Sequence, residues 1–343
     1  MKVGVIRDPI YLEHVADEFH PENPERLQSI YEMLERLPQE GLVYLTPRSA
    51  TPEEICLIHD TRYHDEVAQT AGRAYTRLDP DTSTSPKSYE AACKAVGGTL
   101  DLADAVMKRE IDNGIALIRP PGHHAEKDRA MGFCLFNNIA VGARYLAQKY
   151  ELERTLLVDF DLHHGNGTQH AFYEDPRVLY FSTHQYPYYP GSGWYSEIGR
   201  GEGEGYTINV PLTYGMGDAD YGYIFNQLLV PVADAFHPQI VLVSAGFDIH
   251  RDDPLGGMAV TEAGFANMTR ILLDIASHHC GGKMLVALEG GYDVVGLTRS
   301  VQAMIMEMKG TSVSEPIQDE PCRGVMQTVA SVKDVLRSFW KTL

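Results

Sequence analysis

Apolar residues fall into two kinds of run along this chain. Short continuous stretches rich in β-branched residues, at 3–6, 115–118, 155–160, 178–182, 240–244 and 284–288, are bounded by polar loops. Apolar runs without polar alternation predict strands buried on both faces, as in a parallel sheet covered by helices. Between them the period lengthens to that of a helix. Over 24–37, Leu27, Ile30, Tyr31, Leu34 and Leu37 share one face, with Asn23 as N-cap and Pro24 at the first helical position. Residues 265–277 read the same way, and 325–343 read as a closing helix packed on the body with Trp340 as its anchor.

Strands alternating with helices imply an α/β fold: a mostly parallel central sheet flanked by helices, with ligands bound beyond the carboxyl ends of the strands. The polar, histidine-rich segments follow the strands, at 119–126, 161–166, 182–193, 248–254 and 289–293. At 343 residues the chain is expected to form one domain. Residues 1–310 would carry the site, and 311–343 would be a linker and helix packed on the same domain. The linker-like stretch is 310–324, and no internal repeat is visible.

Composition adds limits. Hydrophobic residues at 44% and charged residues at 22% are ordinary for a globular chain, and no apolar run reaches the ~18 residues of a membrane span. The opening segment reads as a first buried strand, not as a signal peptide, because its apolar stretch stops at Arg7-Asp8-Pro9. A net charge of −18 disfavours nucleic acid and mildly attracts cationic ligands such as lysine side chains or polyamines; acidity that merely aids solubility explains it equally well. The five cysteines are scattered and show no C-x-x-C spacing, against both a disulfide framework and a thiolate zinc site. A reducing cytoplasm is the expected location.

Candidate chemistry begins with LLVDFDLHHGNG, where Asp159, Asp161 and His163 alternate as a strand ends and so point to one side. SAGFDIHRDDP, after another strand, offers Asp248 as a further carboxylate. Asp161, His163 and Asp248 with an open fourth position would make a catalytic site for zinc or a similar divalent ion, since structural zinc is usually closed by four ligands. The plainer reading is that these acids cap loops and the histidines satisfy buried backbone. LIRPPGHHAEKDRAMGFCLFNN adds tandem His123 and His124 after a rigid Pro-Pro turn, and histidine moves protons near neutral pH. A His-His pair by itself is often incidental, as His278-His279 near a helix end is expected to be. In LEGGYD, Gly290-Gly291 would present Tyr292, whose phenol could donate to the oxyanion of a tetrahedral intermediate.

Taken in order, RPPGHH, GFCLFNN, DFDLHHGNGTQ, STHQYPYYPGSG, SAGFDIHRDDPLGG and LEGGYD resemble the zinc-dependent histone deacetylase family, with its bacterial deacetylase, acetoin-utilisation and acetylpolyamine amidohydrolase branches. The resemblance spans roughly residues 2–305. HPENPER near the start, Asn166 and DPLGG are similar to the class II type. It implies the arginase/deacetylase fold and one catalytic Zn2+ on Asp161, His163 and Asp248, a donor set that Fe2+ or Co2+ would also fit. His124 would be general base and then acid, His123 would support it electrostatically, and Tyr292 would polarise the acyl carbonyl. Asp159 would orient His123 and, with Asp161, carbonyls around His163 and Ser182, hold a structural K+; a plain hydrogen-bond acceptor is compatible with this. Phe133 and Tyr189 would wall a channel, Tyr189 being a departure from the phenylalanine common in the family. Gly132 would accept the substrate N–H, Asp81 would contact the substrate backbone at the rim, and Arg26 would line an acetate exit or, at a helix start, pair on the surface.

The implied activity is removal of acetyl or other acyl groups from acyl-lysine in a protein or peptide. A small acyl-amine such as an acetylpolyamine is the alternative. At the channel mouth Leu255 is neutral, where an acidic residue would favour polyamines. Two other classes share parts of the pattern. A manganese ureohydrolase needs Asp-x-Asp where this chain has Asp248 and His250, and a non-catalytic acyl-lysine binding module would be expected to lack a ligand, the histidine pair or the tyrosine.

Overall fold

The computed structural model describes residues 1–16, 20–312, 317 and 319–343. Residues 313–316 and 318, part of the linker-like stretch expected over 310–324, lie outside the described residues. Strands β1 (Val3–Ile6), β2 (Leu42–Leu45), β5 (Asn113–Ala116), β6 (Thr155–Asp159), β7 (Val178–Gln185), β8 (Thr207–Leu212), β9 (Ile240–Ala245) and β10 (Met284–Leu288) form one sheet in the order β2-β1-β5-β10-β9-β6-β7-β8. Every pairing in it is parallel. A separate antiparallel hairpin joins β3 (Thr76–Asp79) to β4 (Thr82–Thr84).

Helices cover the sheet: α1 (Glu25–Arg36), α2 (Pro52–Ile55), α3 (Thr61–Ala68), α4 (Ser88–Met107), α5 (Asn138–Tyr150), α6 (Asn166–Phe172), α7 (Asp218–Ile224), α8 (Val230–Phe236), α9 (Glu262–Cys280), α10 (Val294–Lys309) and α11 (Arg323–Leu336). Every residue of β1, β5, β6, β9 and β10 is buried, which is why all of these but β5 read as largely apolar runs. Among the described residues no helix is long and apolar enough to cross a membrane.

Boundaries moved where the local signal was weak. The strand expected at 115–118 begins two residues earlier, because Asn113 and Gly114 pair with Val3 and Gly4 although neither has a strand-like side chain. Helix α1 begins at Glu25, with Pro24 as the capping residue; Asn23 still accepts the Glu25 N–H at 3.0 Å through Oδ1. The closing helix ends at Leu336, and Trp340 lies beyond it, buried against Tyr206 and Phe236 with its Nε1 donating to the Gly205 carbonyl at 2.8 Å.

Beside the carboxyl ends of the central strands lies a buried ionic brace. Glu22 accepts from Arg119 at Nε and, at 2.7 Å, at Nη2, and from Arg26 at 2.9 Å. Arg119 opens the Pro-Pro turn, and Arg26 reaches from α1 to the carbonyls of Glu289 and Gly291, both at 2.6 Å. Burial alone would raise the Glu22 carboxyl, but Arg119 and then Arg26 outweigh it and hold it well below the usual carboxylate range. The ionised form is thus favoured by folding, so its contribution is full above the unfolded carboxyl pKa of ~4.3 and fades as pH falls. Glu22→Gln is expected to destabilise the protein by about 3 kcal/mol at neutral pH, with a smaller difference from wild type below pH ~4, in denaturant titrations at both pH values.

Candidate active site

Four neighbouring strands, β5, β10, β9 and β6, deliver their following loops to one place. Asp161 and His163 leave β6, Asp248 leaves β9, the His123-His124 pair follows β5, and Tyr292 follows β10. Backbone donors aim the carboxylates. Asp161 Oδ1 accepts the His163 N–H at 2.9 Å, Asp161 Oδ2 accepts the Gly290 N–H at 2.8 Å, and Asp248 Oδ1 accepts the Leu162 N–H at 3.0 Å. A side chain at Gly290 would put its Cβ 2.4 Å from Asp248 Oδ2 and 2.6 Å from Asp161 Oδ2, so only glycine lets the backbone approach both.

His163 Nδ1 lies 3.1 Å from Asp161 Oδ1 and 3.1 Å from Asp248 Oδ2. The single proton on Nδ1 serves Asp161; Asp248 Oδ2 is buried without a hydrogen bond of good geometry. Burial, with repulsion from Asp161, pushes the Asp248 carboxyl up to about 7. Burial also acts to raise Asp161, but His123 and His163 pull it below the usual range. One nitrogen and two oxygens, buried and crowded on one point with an acceptor left over, fit a divalent cation. Among the described residues one other grouping has comparable spacing, Asp234 with His278 and His279, on the surface where His279 Nε2 and Asp234 pair at 2.9 Å. His250, buried but outside the Asp161 grouping, brings no ligand for a second bridged ion.

The tandem histidines sit side by side, ring centres 4.0 Å apart. His123 Nδ1 meets Asp159 Oδ2 at 3.1 Å, and Asp159 also accepts from Tyr180 and from the Asp161 N–H. Burial would lower His123, but Asp161 and Asp159 lift it to about 10. His124 Nδ1 meets Asn166 Oδ1 at 2.7 Å. Burial, His123 and His163 push its basicity well down. Ser182, opposite Asp159 in the β6–β7 register, contacts His184 Nδ1 at 2.9 Å.

A cavity of about 170 Å³ opens onto these groups between Phe133 and Tyr189, with Asp81 and Leu255 also in its lining. Tyr292 and Phe133 meet edge to face at 6.0 Å, and Tyr189 stands edge-on to His124 at 5.1 Å. Asp81 Oδ1 accepts the Gly132 N–H at 3.0 Å. Gly132 has φ +57°, and a Cβ there would fall 2.2 Å from His124 Cδ2, so the wall touches the histidine directly. Burial and Asp248 keep the Tyr292 phenol protonated. Arg26 is 1% exposed and does not line the cavity; its guanidinium lies 5.0 Å over the Tyr292 ring.

Sequence reading missed the residues that hold these groups. Glu289 accepts the Gly122 N–H at 2.6 Å and the His123 N–H at 3.2 Å, fixing the histidine turn. Asp253 accepts the N–H groups of Tyr292 at 2.6 Å and Asp293 at 3.0 Å, fixing the tyrosine turn. Glu22, Arg119 and Glu126 complete the set. Most of their partners lie tens of residues or more away, so little in the local pattern marks them, although Glu289 directly after a strand was a usable signal.

A family model described as histone deacetylase domain matches residues 20–308. Among curated relatives, Histone deacetylase 15 of Arabidopsis thaliana is 41% identical over 94% of this chain and 59% of its own length. Probable deacetylase of Archaeoglobus fulgidus is 36% identical over 99% of both chains. Polyamine deacetylase HDAC10 of Danio rerio is 40% identical over 94% of this chain and 49% of its own. The chain thus spans about half to three-fifths of the two eukaryotic relatives and nearly all of the archaeal one. Its fold superposes on the crystal structure of the HDA15 HD domain with TM-score 0.93 and 39% identity, covering 99% of this chain and 96% of that one. With a family model across most of its length and a full-length relative at 36% identity, the chain belongs to the histone deacetylase domain family.

Proposed function

We propose that this chain is a zinc-dependent deacylase that hydrolyses the amide of an acylated amine, with acyl-lysine in a protein or peptide as its substrate. The observation that carries the reading is that Asp161, His163 and Asp248 converge below a narrow cavity with the His123-His124 pair and Tyr292 on its walls. Asp161, His163 and Asp248 would hold the ion, which when bound supplies Lewis acidity toward the acyl oxygen and toward water. Fe2+ or Co2+ suits the same donors. Asp159, Asp161, backbone carbonyls around His163, and Ser182 would hold a monovalent potassium ion. Asp159 supports this, since three hydrogen bonds leave part of its acceptor capacity free.

The proton chemistry follows from the hydrogen bonds. Asn166 Oδ1 can only accept, so His124 carries its proton on Nδ1 and leaves Nε2 bare. His124 therefore takes a proton from the water that attacks the acyl carbon, and returns it to the amine nitrogen as the carbon–nitrogen bond breaks. His123, held charged between Asp159 and Asp161, and the Tyr292 hydroxyl face the oxygen on which negative charge develops. Phe133 and Tyr189 flank the stem of the substrate, the Gly132 carbonyl accepts its amide N–H, and Asp81 meets the substrate backbone at the rim. Arg26 would hold the Tyr292 turn through the Glu289 and Gly291 carbonyls and line the acetate exit beside it.

Neutral Leu255 at the mouth supports acyl-lysine over polyamines. A second reading, a small cationic acyl-amine, is favoured by the interacting carboxyls Asp79 and Asp81 at the rim. The family match ends at residue 308, which supports assigning the chemistry to 1–310 and a packing role to 311–343. Five unpaired cysteines support a reducing cytoplasm.

Tyr292→Phe is expected to lower kcat by ~100-fold, since one oxyanion donor is worth about 3 kcal/mol, while still binding one zinc per chain by elemental analysis. Turnover near wild type would remove Tyr292 from the mechanism. Asp248→Ala should lose both the bound ion and the activity. A matched kinetic panel of acetyl-lysine peptides, longer acyl-lysines and acetylpolyamines decides the substrate: the highest kcat/KM belongs to an acyl-lysine, and strong preference for an acetylpolyamine would overturn that choice.

A further inference from the structure

Behind His124 a hydrogen-bonded chain runs from the site to solvent. Asn166 accepts from His124 Nδ1 at 2.7 Å and donates through Nδ2 to Glu126 Oε1 at 2.5 Å. Glu126 is itself buried, and its two oxygens meet His170 Nδ1 at 2.8 and 3.0 Å. The His170 side chain is 51% exposed. The carboxylate fixes the orientation of the amide: an acceptor on one side obliges Nδ2 to point there, and Oδ1 must then face the imidazole.

We infer that Glu126 is a positioning residue for the reaction: acting through Asn166, it polarises the amide so that Oδ1 grips the His124 Nδ1–H as a carboxylate would. A hydrogen bond from Nδ2 to an ionised oxygen shifts amide electron density toward Oδ1, and successive bonds in a chain strengthen one another in a low-dielectric interior. The result is an imidazole held in one tautomer and orientation with Nε2 facing the cavity. Burial acts to raise the Glu126 carboxyl, but His170, Asn166 and Arg129 more than offset it and hold it below the usual range, so it is ionised when the enzyme works. His170 forms the outer end and draws charge away from Glu126 when protonated.

The inference rests on the reading of His124 as the base, and the test separates the two. Wild type, E126Q, N166D/E126Q and H170A are compared on one acetyl-lysine peptide, with zinc content and thermal midpoint measured for each. Glu126→Gln is expected to lower kcat about tenfold with KM within about twofold, roughly the loss of one charge-assisted hydrogen bond. Adding Asn166→Asp puts a carboxylate directly on His124 while the amide introduced at position 126 donates to it, and this double variant is expected to regain most of the lost kcat. His170→Ala leaves the Glu126–Asn166–His124 contacts and Arg129 in place and is expected to keep kcat within about twofold of wild type. An E126Q enzyme with wild-type kcat, or a zinc-loaded, folded double variant no faster than E126Q, would overturn the inference. If E126Q does not fold, H170A decides: a roughly tenfold fall there would mean that the chain merely braces the loop. Failure of the underlying reading looks different, as wild type inert on every acyl-amine or His124→Ala fully active.

Discussion

The constraint on which this structure turns is a concentration of buried negative charge. Asp159, Asp161, Asp248 and Glu289 all lie at the carboxyl ends of β6, β9 and β10, each at most 1% exposed. Among the described residues none of their side chains bonds to lysine or arginine; the protein partners are His123, His163, Tyr180, Ser244 and backbone N–H groups. Four ionised carboxylates this close would be prohibitive without a counter-charge, and the upward push on Asp248 and Glu289 expresses that cost. The His123 imidazolium offsets part of it, and the divalent cation proposed on Asp161, His163 and Asp248 would offset more.

The arrangement explains why the sheet is parallel and why the loops are short on side-chain freedom. Strand ends in a parallel sheet all face one way, so β5, β6, β9 and β10 can each contribute to one point without long excursions. Precision then falls to the backbone. Glu289 ties the histidine turn to β10, Asp253 ties the tyrosine turn to the Asp248 loop, and Arg26 ties the tyrosine turn to α1. The chemistry-bearing side chains are thus held by groups that do no chemistry, and removing any one would loosen geometry that must hold to about half an ångström.

The layout of the sheet and the central residues could be read from the chain because each is a local signal. Six apolar runs gave six of the eight main strands, and acids and histidines directly after them gave the loops that meet. Strands β2 and β8 were missed for different reasons: β2 is a half-exposed edge, whereas β8 is interrupted by Asn209 and Pro211. The supporting groups were missed because their partners are remote. Glu22 and Arg119 are 97 residues apart, and Glu126 and Asn166 are 40 apart, and neither pair has a period or motif to betray it. Arg26 shows the limit from the other side: its position at a helix start is compatible with a surface pair, and only packing shows it buried against the tyrosine turn.

The buried-charge constraint also accounts for the amide at position 166. As the proposed base, His124 needs an acceptor on Nδ1, and a carboxylate is the stronger one. A fifth buried carboxylate in contact with the histidine pair would add to the burial and repulsion that already lift Asp248 and Glu289. An asparagine contributes an acceptor of no net charge, and Glu126 stands one residue farther out, where His170 and Arg129 can compensate it. Negative potential reaches His124 along the chain while the formal charge sits on buried Glu126, against half-exposed His170. The Glu126–Asn166 pair therefore divides one task between two residues, the amide meeting the imidazole and the carboxylate standing one residue behind it.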